Sequence, residues 1–477
     1  MLMICLSDRG SSFQMLQVTD FHLDVDYSTH GDPAKMCHIT NQLTGLGVEL
    51  GRFGDYMCDS PETLVRYMMS EAKRLVPSPD LILWTGDNVP HLEGYDMPYV
   101  FNGISLATKI LASTYPNATI LPTFGNHDYA PANDFVEQSP LYQYAYDVWE
   151  EWLGNEQKKT FLQAGYYSHL LPGGRQEILV LNTNLYYALN EAAANFSDPT
   201  DPGGQFSFLE ERLKAAADCR DILARKRSAS AGCVHTVHLV GHIGPGAFER
   251  TPNITWFRPF YNDRLLALVE RFSSSVGWML FGHHHTDTFH IIRDSTGLPI
   301  NVAWMCPAVT PWFSTLPGAG SNNPTFRVYD IDDQTGTIID FTTYALNLAE
   351  LNKGGNSSVR VEYRMREAYQ LKSLASSEMS KLLERFEDDD SLFLQYIGYN
   401  SAGYNATMPV NEYRMAQLCS LRYADYQRYF ECMANRDVGT TITTWSAPTT
   451  TKIAHNADHH LLIVVEALIV YRLVTSW

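Results

Sequence analysis

Apolar runs that stop abruptly at Gly, Asp or His recur along the chain. Met15-Leu16-Gln17-Val18-Thr19-Asp20 has the pattern of a short strand and runs into Phe21-His22. Asp80-Leu81-Ile82-Leu83-Trp84-Thr85 is apolar throughout its centre, as in a strand buried on both faces, and delivers Gly86-Asp87-Asn88. Residues 119–124 lead likewise into Gly125-Asn126-His127-Asp128, residues 235–240 into Gly241-His242, and residues 276–281 into Gly282-His283-His284-His285. Between these runs the spacing of apolar residues predicts helices over 61–75, 99–114 and 208–223, and the aromatic-rich stretch 142–152 reads as helix packing. Asp59-Ser60-Pro61-Glu62 has the composition of a helix start, with a capping residue and an early Pro. Residues 177–183 add a strand, and 299–303, 326–331 and 337–344 close the set, the last two as a hairpin across 333–336. Strands alternating with helices predict parallel pairing in an α/β fold.

From Lys353 the texture becomes helical and polar, with helices expected over 371–386 and 412–433. The expected organisation is an N-terminal segment 1–14, a catalytic domain 15–350, a small helical C-terminal domain 351–435 and a Thr-rich spacer with an apolar tail over 436–477. The apolar stretch 461–474 carries Glu466 and Arg472, and a bilayer span needs about 20 apolar residues. It matches either a surface helix or a glycolipid-anchor signal with attachment near Ser446-Ala447, so membrane association through the tail stays open.

Composition narrows the class of partner. A net charge of −18 offers nothing to neutralise a phosphate polymer, which argues against nucleic acid. Eight cysteines include Cys37 and Cys58 around a Gly-rich loop and Cys419 and Cys432 around an aromatic segment, and both pairs read as disulfides. The pairing of Cys5, Cys219, Cys233 and Cys306 stays open, since spacing does not give connectivity, although Cys219 and Cys233 could pair across a loop. Sequons at Asn117, Asn195, Asn253, Asn356 and Asn405 agree with a secreted or extracellular chain, lysosomal and membrane-anchored variants included. Against this, Met1 to Leu6 is too short for the apolar core of a signal peptide.

The strand ends carry the chemistry. Asp20 and His22, two apart in an extended segment, point the same way and can chelate one ion. Asp87 has two carboxylate oxygens and can bridge two ions. Asn126, His242, His283 and His285 complete a donor set of carboxylate, amide and imidazole that suits zinc, manganese or iron better than calcium. His284 alternates with its neighbours and is expected to point elsewhere. His91, on the loop after Asp87, is either a substrate contact or a solvated residue, and is a candidate for binding substrate. Two ions held by a shared carboxylate clamp the attacking and leaving oxygens of a displacement at phosphorus.

In this order, Asp20-Phe21-His22, Gly86-Asp87, Gly125-Asn126-His127-Asp128, Gly241-His242 and Gly282-His283-His284-His285 resemble the calcineurin-like metallophosphoesterases. Residues 53–61, 84–91 and 307–311 are similar to the acid sphingomyelinase-like phosphodiesterases, and the likeness runs from about Met15 to Cys432. It implies a β-sandwich flanked by helices, with Asp20, His22, Asp87 and His285 around one Zn2+ and Asp87, Asn126, His242 and His283 around a second. It implies a bridging hydroxide as nucleophile, His127 as general acid with Asp128 orienting it, and the disulfides Cys37–Cys58 and Cys419–Cys432.

The expected protein is a monomeric, zinc-dependent phosphodiesterase acting on phosphodiester or pyrophosphate bonds of small molecules, of nucleotide or phosphocholine type. Its optimum is expected to be acidic, because His127 must be protonated. Alternatives are a sphingomyelin phosphodiesterase, a phosphomonoesterase and, from another class, a non-catalytic cell-surface protein on the same scaffold.

Overall fold

Two six-stranded mixed sheets lie face to face in a computed structural model that describes residues 12–39, 49–226, 232–354 and 357–435. The first runs, edge to edge, Arg360–Arg364, Ile338–Ala345, Thr325–Asp332, Ser12–Val18, Leu81–Trp84 and Ile120–Pro122. The second runs Thr288–Arg293, Pro299–Met305, Val276–Phe281, Thr236–Val240, Gln176–Val180 and Tyr167–Leu170. In each, one run of neighbouring strands is parallel: Ser12–Val18, Leu81–Trp84 and the edge strand Ile120–Pro122 in one, and Gln176–Val180, Thr236–Val240, Val276–Phe281 and Pro299–Met305 in the other. Every residue of Leu81–Trp84 is buried, as expected for a strand covered on both faces.

Apolar inner faces make most of the contact between sheets, and a few polar side chains tie them. Gln17 donates from the first sheet to the Phe281 carbonyl of the second at 3.1 Å and accepts from the Tyr329 hydroxyl at 2.8 Å. Helices cover the outsides. Glu62–Leu75, Met97–Thr114 and Pro140–Leu153 pack in succession beside the Ile120–Pro122 edge, and Gln205–Lys226 packs on Thr236–Val240.

Several expectations need correction. The strand Thr288–Arg293 lacks strict alternation and hides between the His-rich turn and its hairpin partner Pro299–Met305. Arg360–Arg364, beyond residue 350, completes the edge of the first sheet, so the sandwich continues past the change in texture. The helix expected over 371–386 begins at Ser376, after Gln370 has taken a left-handed conformation (φ 53°). The one expected over 412–433 is two helices, Asn411–Arg422 and Tyr426–Ala434. The first of these helices and Ser376–Asp388 pack on the Thr288–Arg293 strand, and the described chain up to Ala434 is one compact unit.

Disulfides join Cys37 to Cys58, Cys419 to Cys432 and Cys219 to Cys233, and Cys306 is a buried free thiol. The sequon residues Asn117, Asn195, Asn253 and Asn405 are exposed. Asn356, Cys5, the first eleven residues and the apolar tail lie outside the described residues.

Candidate metal centre

Parallel strands of both sheets end at one rim of the sandwich, and the residues just past those ends turn inward. Asp20, His22, Asp87, His283 and His285 all sit at positive φ (50°, 40°, 56°, 69° and 61°), a conformation uncommon for residues with a side chain. Such strain gathers at functional sites where the surrounding fold over-determines it. Here the loops brace one another: Asp20 N–H donates to Gly86 O and His22 N–H to Asp87 O, both at 3.0 Å. Gly125 is required by close approach, since a Cβ there would lie 2.0 Å from Asp87 Oδ1.

Two groups of ligating atoms result, and Asp87 belongs to both. Asp20, His22, Asp87 and His285 form one, while Asp87, His242 and His283 form the other. A single oxygen of Asp87, Oδ2, lies 3.3 Å from His22 Nε2 and 3.1 Å from His242 Nε2. Asn126 Oδ1 joins the second group at 3.1 Å from His242 Nε2, with its amide nitrogen turned away to donate to Asn133 Oδ1 at 2.9 Å.

Within these groups acceptors face acceptors. His22 Nδ1 meets the Val89 carbonyl at 2.8 Å and His242 Nδ1 the Thr85 carbonyl at 2.6 Å, so those nitrogens carry the protons. As metal ligands these rings would be neutral and would turn their Nε2 lone pairs inward, toward His285 Nε2 at 3.1 Å from His22 Nε2 and toward the oxygens around His242. Converging lone pairs repel unless a cation lies between them, and this hydrogen-bonded outer shell is what orients imidazole ligands on metals.

Electrostatics say the same. Burial is the largest single influence on the His22 and His242 imidazoles and would push them down, but Asp87 and Asp20, joined by Asp59 at His22 and by the Thr85 carbonyl at His242, together lift each to about 9. Burial would raise Asp87, yet His242 and His22 hold it well below the usual carboxylate range. Burial raises Asp20. The cluster draws positive charge to itself, which is the task a pair of divalent cations performs.

His127 sits beside the first group, its ring centroid 5.2 Å from His22 and 4.4 Å from His91. Its backbone N–H donates to Asp87 Oδ1 at 2.8 Å, and burial pushes the imidazole down to about 4 against the pull of Asp87. Asp128 does not orient it. The buried His127 Nδ1 has no hydrogen-bond partner, whereas the Asp128 carboxylate accepts from Asp87 N (3.0 Å), Asn88 N (2.8 Å), Asn88 Nδ2 (3.0 Å) and Gly125 N (2.9 Å). With four donors converging on it, Asp128 shapes the Asp87 turn instead.

His91 is half-buried over the first group, stacked on His22 at 3.9 Å and on Trp312 at 3.7 Å. Asp59 accepts its backbone N–H at 2.6 Å and its Nδ1–H at 3.0 Å, so the residue that resembled a helix cap serves His91, and Pro61 takes the cap position of its helix. The sequence gives no local sign of Trp312 or of this use of Asp59: neither belongs to a strand-end pattern. His284 points away, as expected, with Nδ1 2.9 Å from Glu249 and Nε2 2.6 Å from Trp256 Nε1.

Comparison with known proteins meets this geometry. The family model of calcineurin-like phosphoesterases matches residues 13–287, a span that holds every member of both groups. The chain belongs to that family. A calcineurin-like phosphoesterase is a metal-dependent hydrolase with a two-metal site, and the paired donor groups that share Asp87 fit such a site. The model of the acid sphingomyelin phosphodiesterase C-terminal region covers residues 298–438. Acid sphingomyelinase-like phosphodiesterase 3b of Homo sapiens is 36% identical over 89% of this chain and 91% of its own. Cyclic GMP-AMP phosphodiesterase SMPDL3A of Homo sapiens is 30% identical over 88% of this chain and 90% of its own. These relatives place the chain among the acid sphingomyelinase-like phosphodiesterases.

Proposed function

We propose that this calcineurin-like phosphoesterase is a two-zinc phosphodiesterase that hydrolyses phosphodiester or pyrophosphate bonds of nucleotide-type small molecules, with His127 as proton donor. The observation that carries the reading is Asp87 Oδ2, which lies between His22 Nε2 and His242 Nε2 and joins two donor groups into one centre. Mixed imidazole, carboxylate and amide donors suit zinc, as they suit manganese and iron, better than calcium. Two such ions supply Lewis acidity and an activated water for in-line displacement at phosphorus.

The chain's own residues hold and aim the reactants. Asp20, His22 and His285 hold one side of the centre, Asn126, His242 and His283 the other, and Asp87 spans both. His127 Nε2 delivers a proton to the departing oxygen, and the Tyr95 hydroxyl on His127 O at 2.9 Å steadies its loop. His91 and Trp312 form an aromatic wall beside the first group, held by Asp59, on which the substrate's non-reacting part rests. The relative named for cyclic GMP-AMP supports a nucleotide over a phosphocholine head group. Three disulfides support an oxidising, extracytosolic compartment, and no helix among the described residues is long and apolar enough to cross a membrane.

Hydrolysis of bis(p-nitrophenyl) phosphate by the full chain, after chelation and after zinc is restored, tests the reading. Activity lost and recovered in step with two bound ions supports it, and a folded, zinc-loaded chain that cleaves only p-nitrophenyl phosphate monoester overturns it. Cyclic dinucleotide, nucleoside diphosphate and sphingomyelin vesicles, run in parallel, decide the substrate class.

A further inference from the structure

The middle residue of Gly282-His283-His284-His285 takes no part in either donor group, yet it is buried and hydrogen-bonded at both ring nitrogens. An indole N–H only donates, so the 2.6 Å contact from Trp256 Nε1 makes His284 Nε2 an acceptor. The proton of the neutral ring is therefore on Nδ1, which donates to Glu249 Oε2 at 2.9 Å. Glu249 is fully buried, and its other oxygen accepts from Thr286 Oγ1 and from Asn400 Nδ2 at 3.0 Å. Asn400 ends the helix Asp390–Asn400, and its own carbonyl accepts the Asp287 N–H at 3.0 Å.

This directional chain ends on a wall of the metal centre. The Trp256 ring stands nearly perpendicular to His283 at 4.4 Å between centroids, and Tyr187 closes another side of that ring at 5.2 Å. His22 and His242 are each oriented by a carbonyl on Nδ1, whereas the buried Nε2 of His283 has no hydrogen-bond partner. Packing against a fixed indole therefore sets the angle of His283.

We propose that Glu249, His284 and Trp256 are positioning residues: a buried hydrogen-bonded relay, anchored by Asn400, that locks Trp256 against His283 and so sets the geometry of one of the two metal positions. The inference rests on the two-metal reading above. It assigns the middle histidine a reason to be histidine, since it needs one acceptor and one donor on opposite sides of a flat ring. It also makes the C-terminal helical region a part of the metal centre, through Asn400.

The test is titration of the metal-depleted full chain with Zn2+ against a competing chelator, together with the visible spectrum of Co2+ as a probe of ligand geometry. Trp256→Phe keeps the ring and removes the donor. It should weaken one of two metal affinities roughly 10- to 100-fold, the usual range for loss of a supporting contact, and alter the Co2+ bands while the other affinity stays at its wild-type value. His284→Gln presents a carbonyl to Trp256 and an N–H to Glu249, so it should bind more like wild type than His284→Leu does. A space-filling role for His284 gives the opposite order. Unchanged affinities and Co2+ bands in Trp256→Phe, or Leu equal to Gln at position 284, overturn the relay. Wild type that binds fewer than two ions overturns the two-metal reading itself, so the two failures are distinct.

Discussion

Replacing Asp128 by Asn separates two accounts of the Gly125-Asn126-His127-Asp128 turn. If Asp128 oriented His127, the change would slow proton transfer and leave stability and metal content alone. The structure gives a different expectation, because the carboxylate receives four hydrogen bonds in a fully buried place, three of them on Oδ2 and one, from Asn88 N at 2.8 Å, on Oδ1. An amide keeps a single oxygen. Its best placement preserves the three bonds at Oδ2 and sets an NH2 against the Asn88 N–H, leaving a buried donor unpaired beside another donor. Losing one charge-assisted bond and stranding one donor costs about 2–4 kcal/mol. For a chain of this size that lowers the unfolding midpoint by about 2–4 °C. The released Asp87 turn should also loosen both metal positions, since Asp87 N–H is one of the four donors. Calorimetry of the metal-free protein, metal content after dialysis and turnover of bis(p-nitrophenyl) phosphate measure the three effects. A variant with wild-type midpoint and full metal content but low turnover refutes the reasoning and restores the orienting role.

Other expectations follow from the same geometry. Asp87→Asn should abolish most activity and reduce bound zinc at both positions, read by metal analysis, whereas His127→Ala should retain zinc and lose turnover on substrates with poor leaving groups. Gly125→Ala places a methyl 2.0 Å from Asp87 Oδ1 and should cost activity as heavily as the loss of a ligand, measured as kcat/KM. Burial holds His238 down to about 3 from an ordinary value near 6.5. The stability linked to it is complete above pH 6.5 and falls away as pH drops toward 3, because only the unfolded chain binds that proton, with about 2 kcal/mol lost at pH 5. The gap in unfolding free energy between pH 7.5 and pH 5 should therefore shrink by about that amount in His238→Gln, and an unchanged gap would show that the ring is not held neutral. Turnover should rise as pH falls from neutral to mildly acidic, as a protonated His127 requires, and a kcat/KM that instead increases with increasing pH through neutrality speaks against that role.

The candidate centre was legible because its chemistry is local. Each donor follows an apolar strand within a few residues, and strands such as Leu81–Trp84 are apolar enough to be read without a partner. Parallel pairing then brings their ends to one rim, so the ligand set and the shared Asp87 could be named from the chain alone. Relations between distant segments were not legible. Asp59 has the local surroundings of a helix cap, and only the fold shows that its carboxylate meets His91, 32 residues away. Asp128 follows His127 in the chain, yet backbone at positive φ turns Asp87 so that its N–H, and not the imidazole, faces Asp128.

What the sequence determined by itself was the set of strands that must be buried, and with it the place where polar ligands emerge. Periodicity and burial are properties of a short window, and the hydrophobic effect acts on them before any partner is chosen. The tertiary structure decided which polar groups face each other across the rim. Trp312 over His91, Trp256 against His283 and Asn400 on Glu249 join residues far apart in the chain, and no local pattern marks them. The physical reason is that a buried polar group needs a partner but not a nearby one, so its choice is made by packing and is invisible until the sheets have met.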